Sequence, residues 1–292
     1  MANVVSLYDE SGNMFRAWAE AGYDCYCIDI LNDNRSERVG AGWLHFVKAD
    51  MRDPSVKANV LALKPVFVAS FPPCTDLAVL GAKHFEAKAK ANPNYRVEAM
   101  ELVYIARDII EEAGCPGFFE NPVSVISTEY RKPDFYFHPN EYGGYLPEDD
   151  CHPRWPEYIE PRDGYTKKTS IWAFNGFTMP DKLEVPLSAI VEFETADGGV
   201  VRGSKQWGKL GGKSAKTKQI RSETPRGFAR AVYLKYGKVE QFDNLAFNCD
   251  CCGWWCSTDE LHNTTAQNLC DECDEQELEA LVHAACKAEP VA

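Results

Sequence analysis

Pro65-Val66-Phe67-Val68-Ala69-Ser70-Phe71-Pro72-Pro73-Cys74 is a short apolar run, rich in β-branched and aromatic residues and closed by two prolines. It reads as a buried strand that stops abruptly, because proline cannot donate to a sheet ladder. Cys74 therefore sits where the chain leaves the sheet. In an open α/β sheet, ligands bind outside the carboxyl ends of the strands, so a thiol at that point can meet a substrate. A lone cysteine after a turn is equally a small buried hydrophobe, and its neighbours decide between the two readings.

Toward the N-terminus, Val4 to Tyr8 reads as a first strand and Asp9-Glu10-Ser11-Gly12-Asn13 as a polar turn. Met14 to Ala21 has helical spacing, Gly22 stops it, and a second strand from Asp24 to Ile30 carries Asp29 near its end. Strand, glycine turn, helix, strand and terminal acid form the order of a nucleotide-type half-site, in which the turn cradles the ligand and the acid takes ribose hydroxyls. The single Gly12 leaves a packing role for the turn equally open.

Toward the C-terminus, Leu44 to Lys48 reads as a short strand leading to Asp50-Met51, and Thr75 to Phe85 as a loop. Val97 to Ala113 is an amphipathic helix stopped by Gly114, and Phe118-Phe119-Glu120-Asn121-Pro122 is a strand that brings an acid to the same rim as Cys74. From Ser127 to Gly164 the regular pattern lapses into an irregular segment too aromatic to stay disordered. Lys167 to Phe174 reads as a strand, Glu184 to Val201 as a hairpin around Gly198-Gly199, Gly203 to Gln219 as a basic loop, and Thr224 to Tyr236 as the opening and body of a last helix.

The 292 residues suffice for one large α/β domain and a small appendage. No apolar run approaches membrane-spanning length, and the N-terminus lacks a signal-peptide charge pattern, so no membrane partner and a cytoplasmic location are expected. The net charge of -13 is uneven: residues 240–292 hold twelve acidic side chains and one basic, leaving -2 on residues 1–239. Residues 201–239 hold eleven basic side chains and one acidic. Such a glycine-interrupted basic stretch is either a solvated face or a seat for phosphates, with Lys213, Lys216, Lys218 and Arg221 as its candidate contacts.

In the acidic tail, Cys249 and Cys252, then seventeen residues, then Cys270 and Cys273 make two C-x2-C pairs at zinc-ribbon spacing. Four thiolates around Zn2+ would stabilise a segment too small for its own core, with Gly253-Trp254-Trp255 as the knuckle turn. Cys251 and Cys256 are alternatives for the first pair, and a disulfide-linked or disordered tail is the competing reading.

Taken in order, these motifs resemble the DNA cytosine-5 methyltransferase family, in its compact, phage-type form. Phe71-Pro72-Pro73-Cys74 is similar to the nucleophile motif and Glu120-Asn121-Pro122 to the Glu-Asn-Val motif, with Pro122 in place of Val. Leu7 to Gly12 resembles the first S-adenosylmethionine turn. Gly211-Gly212-Lys213-Ser214 and Arg221 to Ala229 are similar to the closing region, so the resemblance spans about residues 4–236. No Gln-x-Arg-x-Arg motif is present; Arg162, Lys167 and Lys168 lie in the corresponding interval.

The resemblance implies an α/β fold, a Rossmann-like S-adenosylmethionine-dependent methyltransferase sheet with a small irregular target-recognition region; the cysteine spacing adds a C-terminal zinc-ribbon-like tail. The division expected is a cofactor-binding and catalytic core over 1–128, a recognition region over 129–215, a closing helix over 216–240 and, from the cysteine pattern, the acidic zinc-binding tail over 241–292. The resemblance further implies Cys74 and Glu120 as the catalytic pair, and Tyr8, Glu10, Gly12, Asp29, Asp50, Met51 and Pro72 around S-adenosyl-L-methionine. DNA is the implied partner, held by Arg162, Lys168 and the basic stretch, with the target base flipped into the pocket. A binding protein that kept the fold without transfer, and transfer to another pyrimidine, are the alternatives.

Overall fold

The computed structural model describes residues 1–188, 191–194, 198–203, 209–210, 214–237, 247–248 and 255–256. The strands are β1 (Asn3–Leu7), β2 (Asp24–Asp29), β3 (Arg35–Val39), β4 (Gly42–Lys48), β5 (Phe67–Ser70), β6 (Gly117–Pro122), β7 (Phe135–Phe137) and β8 (Thr169–Phe174). They form one mixed sheet in the order β3-β4-β2-β1-β5-β6-β8-β7. The five strands from β4 to β6 are parallel, and β3 and β8 run against their neighbours. Counted along the chain, the parallel strands lie as third, second, first, fourth and fifth. That is the order of a doubly wound, Rossmann-like sheet, with its switch point between β1 and β5.

Helices α1 (Arg16–Glu20), α2 (Pro54–Ala62), α3 (Phe85–Ala91), α4 (Tyr95–Ala113), α5 (Ile126–Glu129), α6 (Ala215–Ser222) and α7 (Arg226–Tyr236) complete the main unit. Successive strand residues point to opposite faces. Val4, Cys25, Cys27, Phe67, Ala69, Phe118 and Ile171 pack with Phe15, Trp18 of α1 and Phe228, Ala231 and Val232 of α7. Val5, Leu7, Val68, Phe119 and Trp172 pack on the other side with Val56 and Val60 of α2 and Val103, Ile109 and Ile110 of α4. Every residue of β5 is buried because both faces are covered. Phe67, fully buried, meets the rings of Phe15, Trp18, Phe118, Phe177 and Tyr236. Burial of such a ring stabilises by about 1.5–3 kcal/mol.

Several elements differ from the sequence reading. Arg35–Val39, polar and largely exposed, pairs with β4 across a turn at Gly40 to make an antiparallel edge. The stretch expected as a loop after Cys74 contains a 3-10 turn over Val79–His84 that runs into α3. Part of the basic loop is α6, whose start is capped by Ser214 accepting from the Thr217 amide. β7 and β8, within the range read as a recognition region, belong to the main sheet. The Gly198-Gly199 hairpin is β9 (Val191–Glu194) paired with β10 (Val200–Gly203). The chain divides into two compact units, Met1–Gly237 and Lys238–Ala292; in the second, β11 (Phe247–Asn248) pairs with β12 (Trp255–Cys256). Among the described residues no helix is long and apolar enough to cross a membrane.

The start of α7 is seated on buried polar groups. Asp163 accepts from the Gly227 amide at 2.9 Å, and Arg226 donates to Asp150 at 2.6 Å. A Cβ on Gly227 would lie 2.3 Å from the Tyr142 carbonyl oxygen, so only glycine lets the helix approach this closely. Burial raises the Asp163 carboxyl to about 6 and, aided by Arg226, lowers the nearby buried His152 to about 4. The signs oppose. Stability from Asp163 is full below about pH 4 and lost as pH rises through about 6; stability from His152 is full above about pH 6.5 and lost as pH falls through about 4. Each effect is about 3 kcal/mol. Relative to the native protein, Asp163→Asn is therefore expected to gain stability, and His152→Gln to lose it, as pH rises across that window. Urea unfolding at both ends of the window measures the two slopes.

Candidate active site at the strand ends

The sheet order sets the carboxyl ends of β4, β2, β1, β5 and β6 side by side, and with them Asp50, Asp29, the Tyr8–Gly12 turn, Phe71 to Cys74, and Glu120. Antiparallel β8 enters at the same rim, because Thr169 lies opposite Pro122, and so delivers Lys167 and Lys168 there.

The first turn is held by Asp9, a residue the sequence reading passed over. Its buried carboxylate accepts from the Ser11 amide and hydroxyl, the Gly12 amide and the Ser6 hydroxyl at 2.8–3.0 Å. This lets the chain turn through Tyr8 at φ 58° and Gly12 at φ 70°. A Cβ on Gly12 would sit 3.0 Å from the ring of Phe46. The Tyr8 hydroxyl donates to the Leu102 carbonyl at 2.9 Å, and Glu10 accepts from Gln219 at 3.0 Å. Asp29 accepts from the Leu31 amide through Oδ1, and burial raises its carboxyl above the ordinary range. Asp50 accepts from the Arg52 amide, while the Met51 side chain is buried in the core.

The Pro72 carbonyl accepts from the Asn121 side chain at 2.8 Å, which ties the ends of β5 and β6 together. The Cys74 carbonyl accepts from the Leu77 and Ala78 amides at 3.1 and 2.9 Å, fixing the turn that carries the thiol. Glu120 projects to the same face as Phe118, into a small pocket whose wall includes Lys167 and Glu223 beside the rings of Phe71, Phe137 and Phe228. Cys74 stands outside that wall. Glu120 Oε1 is closed off from solvent and has no hydrogen-bond partner among the described residues.

The two groups share one electrostatic environment. Burial raises the Glu120 carboxyl, and Lys167 opposes the shift. Burial also raises the half-buried Cys74 thiol; the Glu120 carboxylate pushes it the same way and Lys167 pulls it down. Protonation of Glu120 thus removes a charge that disfavours the thiolate and leaves the favourable one. Lys167→Met is expected to shift the pH profile of Cys74 alkylation upward and Glu120→Gln to shift it downward. Iodoacetamide labelling followed by peptide mass spectrometry gives the rate at Cys74 alone.

Glu223 is the one acid among the eleven basic residues of 201–239, a signal that would have singled it out. It accepts from the Asn13 side chain and, at 2.8 Å, from Trp155 Nε1, and so joins the first turn to the irregular segment. The basic candidates are dispersed. Arg162, at φ 52°, is held internally through its amide to Asp150 and its Nε to the Gly143 carbonyl. Lys168 lies over the Tyr136 ring, Lys216 over Tyr158, Lys218 is exposed, and Arg221 donates to the Leu210 carbonyl. Lys213 and the candidate metal ligands Cys249, Cys252, Cys270 and Cys273 lie outside the described residues. Among the described residues no group of three His, Cys, Asp or Glu side chains is placed to hold a metal ion. No family model matches the chain, and no curated protein matches it.

Proposed function

We propose that this protein transfers a methyl group from S-adenosylmethionine to carbon 5 of a flipped cytosine in DNA, through a covalent bond from Cys74. One observation carries the proposal: Glu120, a carboxyl with a raised pKa and a buried oxygen that has no partner among the described residues, stands in the electrostatic field of a strand-end thiol. A protonated carboxyl with a free oxygen is the donor that a pyrimidine ring nitrogen requires.

Carbon 5 of cytosine is a poor nucleophile. The Cys74 thiolate adds to carbon 6, and the electrons displaced onto the ring are stabilised by the Glu120 proton at nitrogen 3. Carbon 5, now the terminus of an enamine, takes the methyl group. Loss of the carbon 5 proton to water then drives elimination of the Cys74 thiolate, and nitrogen 3 returns its proton to Glu120, which restores both side chains. Lys167 favours the thiolate before attack and after release. S-adenosylmethionine, when bound, supplies the electrophilic methyl group.

The rim suits that donor. Asp50, Asp29, the Tyr8–Gly12 turn and Pro72 follow four adjacent strands, a row of about 14 Å at the usual strand spacing. Asp29 Oδ2 takes no hydrogen bond among the described residues, which leaves an acceptor for a ribose hydroxyl. A second reading, a binding protein without transfer, draws on Asp9 occupying the Ser11 and Gly12 amides that would otherwise face a ligand. Incubation with S-adenosylmethionine and DNA, digestion and mass spectrometry decides between them. 5-Methylcytosine is the expected product; donor binding by calorimetry without any methylated base favours the second reading.

A further inference from the structure

We infer that Trp155 and Tyr158, with Arg154 and Lys216 over their rings, form a stacking platform for unpaired nucleobases beside the Glu120 cavity, so that the protein prefers single-stranded to duplex DNA. The inference rests on the reading of that cavity as a cytosine site.

Both rings are half-buried, and they meet edge to face at 6.5 Å. They rest against Ile159, Tyr165, Leu210 and Ile220, which holds them rigid. Above them, Lys216 Nζ lies 4.7 Å from the Tyr158 centroid and 5.6 Å from that of Trp155, and the Arg154 guanidinium lies 4.8 Å from Trp155. Lys209 donates to the Glu157 carbonyl at 3.2 Å and brings a further cation close by; the Glu157 side chain is exposed. The position of the platform follows from one hydrogen bond. Trp155 Nε1 donates at 2.8 Å to Glu223, and Glu223 lines the cavity with Glu120.

Packed aromatic faces beside exposed cations match a strand of alternating rings and phosphates. The rings accept bases, and Lys216 and Arg154 move from the ring faces to the flanking phosphates. Inside a duplex both faces of each base are already stacked, so only an unpaired strand can use the platform. An acidic peptide would satisfy the cations and leave the rings unused.

The test is fluorescence anisotropy of the full chain with a fluorescein-labelled cytosine-containing single strand and with the same sequence annealed to its complement. The single strand is expected to bind more tightly. Trp155→Ala and Tyr158→Ala should each weaken it by about 5- to 100-fold, Trp155→Phe and Tyr158→Phe should weaken it less than the alanine variants do, and Lys216→Gln should lower the salt slope by about one. Circular dichroism of each variant checks its fold, and the comparison of strand forms needs no variant. Duplex bound as well as single strand, folded alanine variants with native affinity, or displacement by poly-glutamate as effective as by unlabelled strand would each overturn the inference. If the native protein binds neither form, the cytosine reading fails with it; if it methylates DNA but shows no preference, only the platform fails.

Discussion

Cys74→Ala is expected to lower 5-methylcytosine formation at least about 10³-fold, because the thiolate makes the bond to carbon 6 that turns carbon 5 into a nucleophile. The side chain is half-buried, and its backbone carbonyl, not its sulfur, holds the turn to Leu77 and Ala78. The fold and the binding of S-adenosylmethionine and DNA should therefore survive. Single-turnover assays beside binding titrations separate the two effects. Loss of activity together with loss of both ligands would instead mark Cys74 as a packing residue.

Glu120→Gln is expected to lower turnover by about 10²- to 10⁴-fold, the usual worth of a positioned general acid. The amide keeps the shape and still offers an N–H, but it cannot give up a proton to nitrogen 3. The native enzyme needs Glu120 protonated and Cys74 ionised at once, so its rate should pass through a maximum as pH rises. In Glu120→Gln the alkaline fall should vanish. Stability should move the other way. A carboxyl whose pKa is raised on folding contributes stability in acid that is lost as pH rises through its folded value, so the amide should stabilise the protein at neutral pH and not in acid. A variant both less active and more stable is the mark of a group kept for chemistry.

What was legible in the sequence was what local pattern encodes. Phe67–Ser70 announced itself through continuous apolar character ended by Pro72-Pro73, and α4 through its stripe and the Gly114 stop; its start differs by only two residues from the sequence reading. From those elements the meeting of Cys74 and Glu120 at one rim followed, because parallel neighbours expose the same ends. What stayed hidden depended on distant partners. β3 is exposed and polar, and it is a strand because β4 offers an open edge. Asp9 looked like any turn aspartate until its carboxylate met the Ser6 hydroxyl and two amides. Lys167 gained its place through β8 pairing with β6, and Glu223 through contacts with Asn13 and Trp155, 210 and 68 residues away.

The central claim is a bond between one sulfur and one carbon. A DNA strand carrying 5-fluorocytosine at the target position has no carbon 5 proton to lose after methyl transfer, so elimination stops and the adduct persists. With S-adenosylmethionine present, intact-protein mass spectrometry should find the chain heavier by one strand and one methyl group, with the attachment mapped to Cys74. An adduct at another residue, or 5-methylcytosine formed on ordinary DNA while the fluorinated strand is never trapped, would contradict the account.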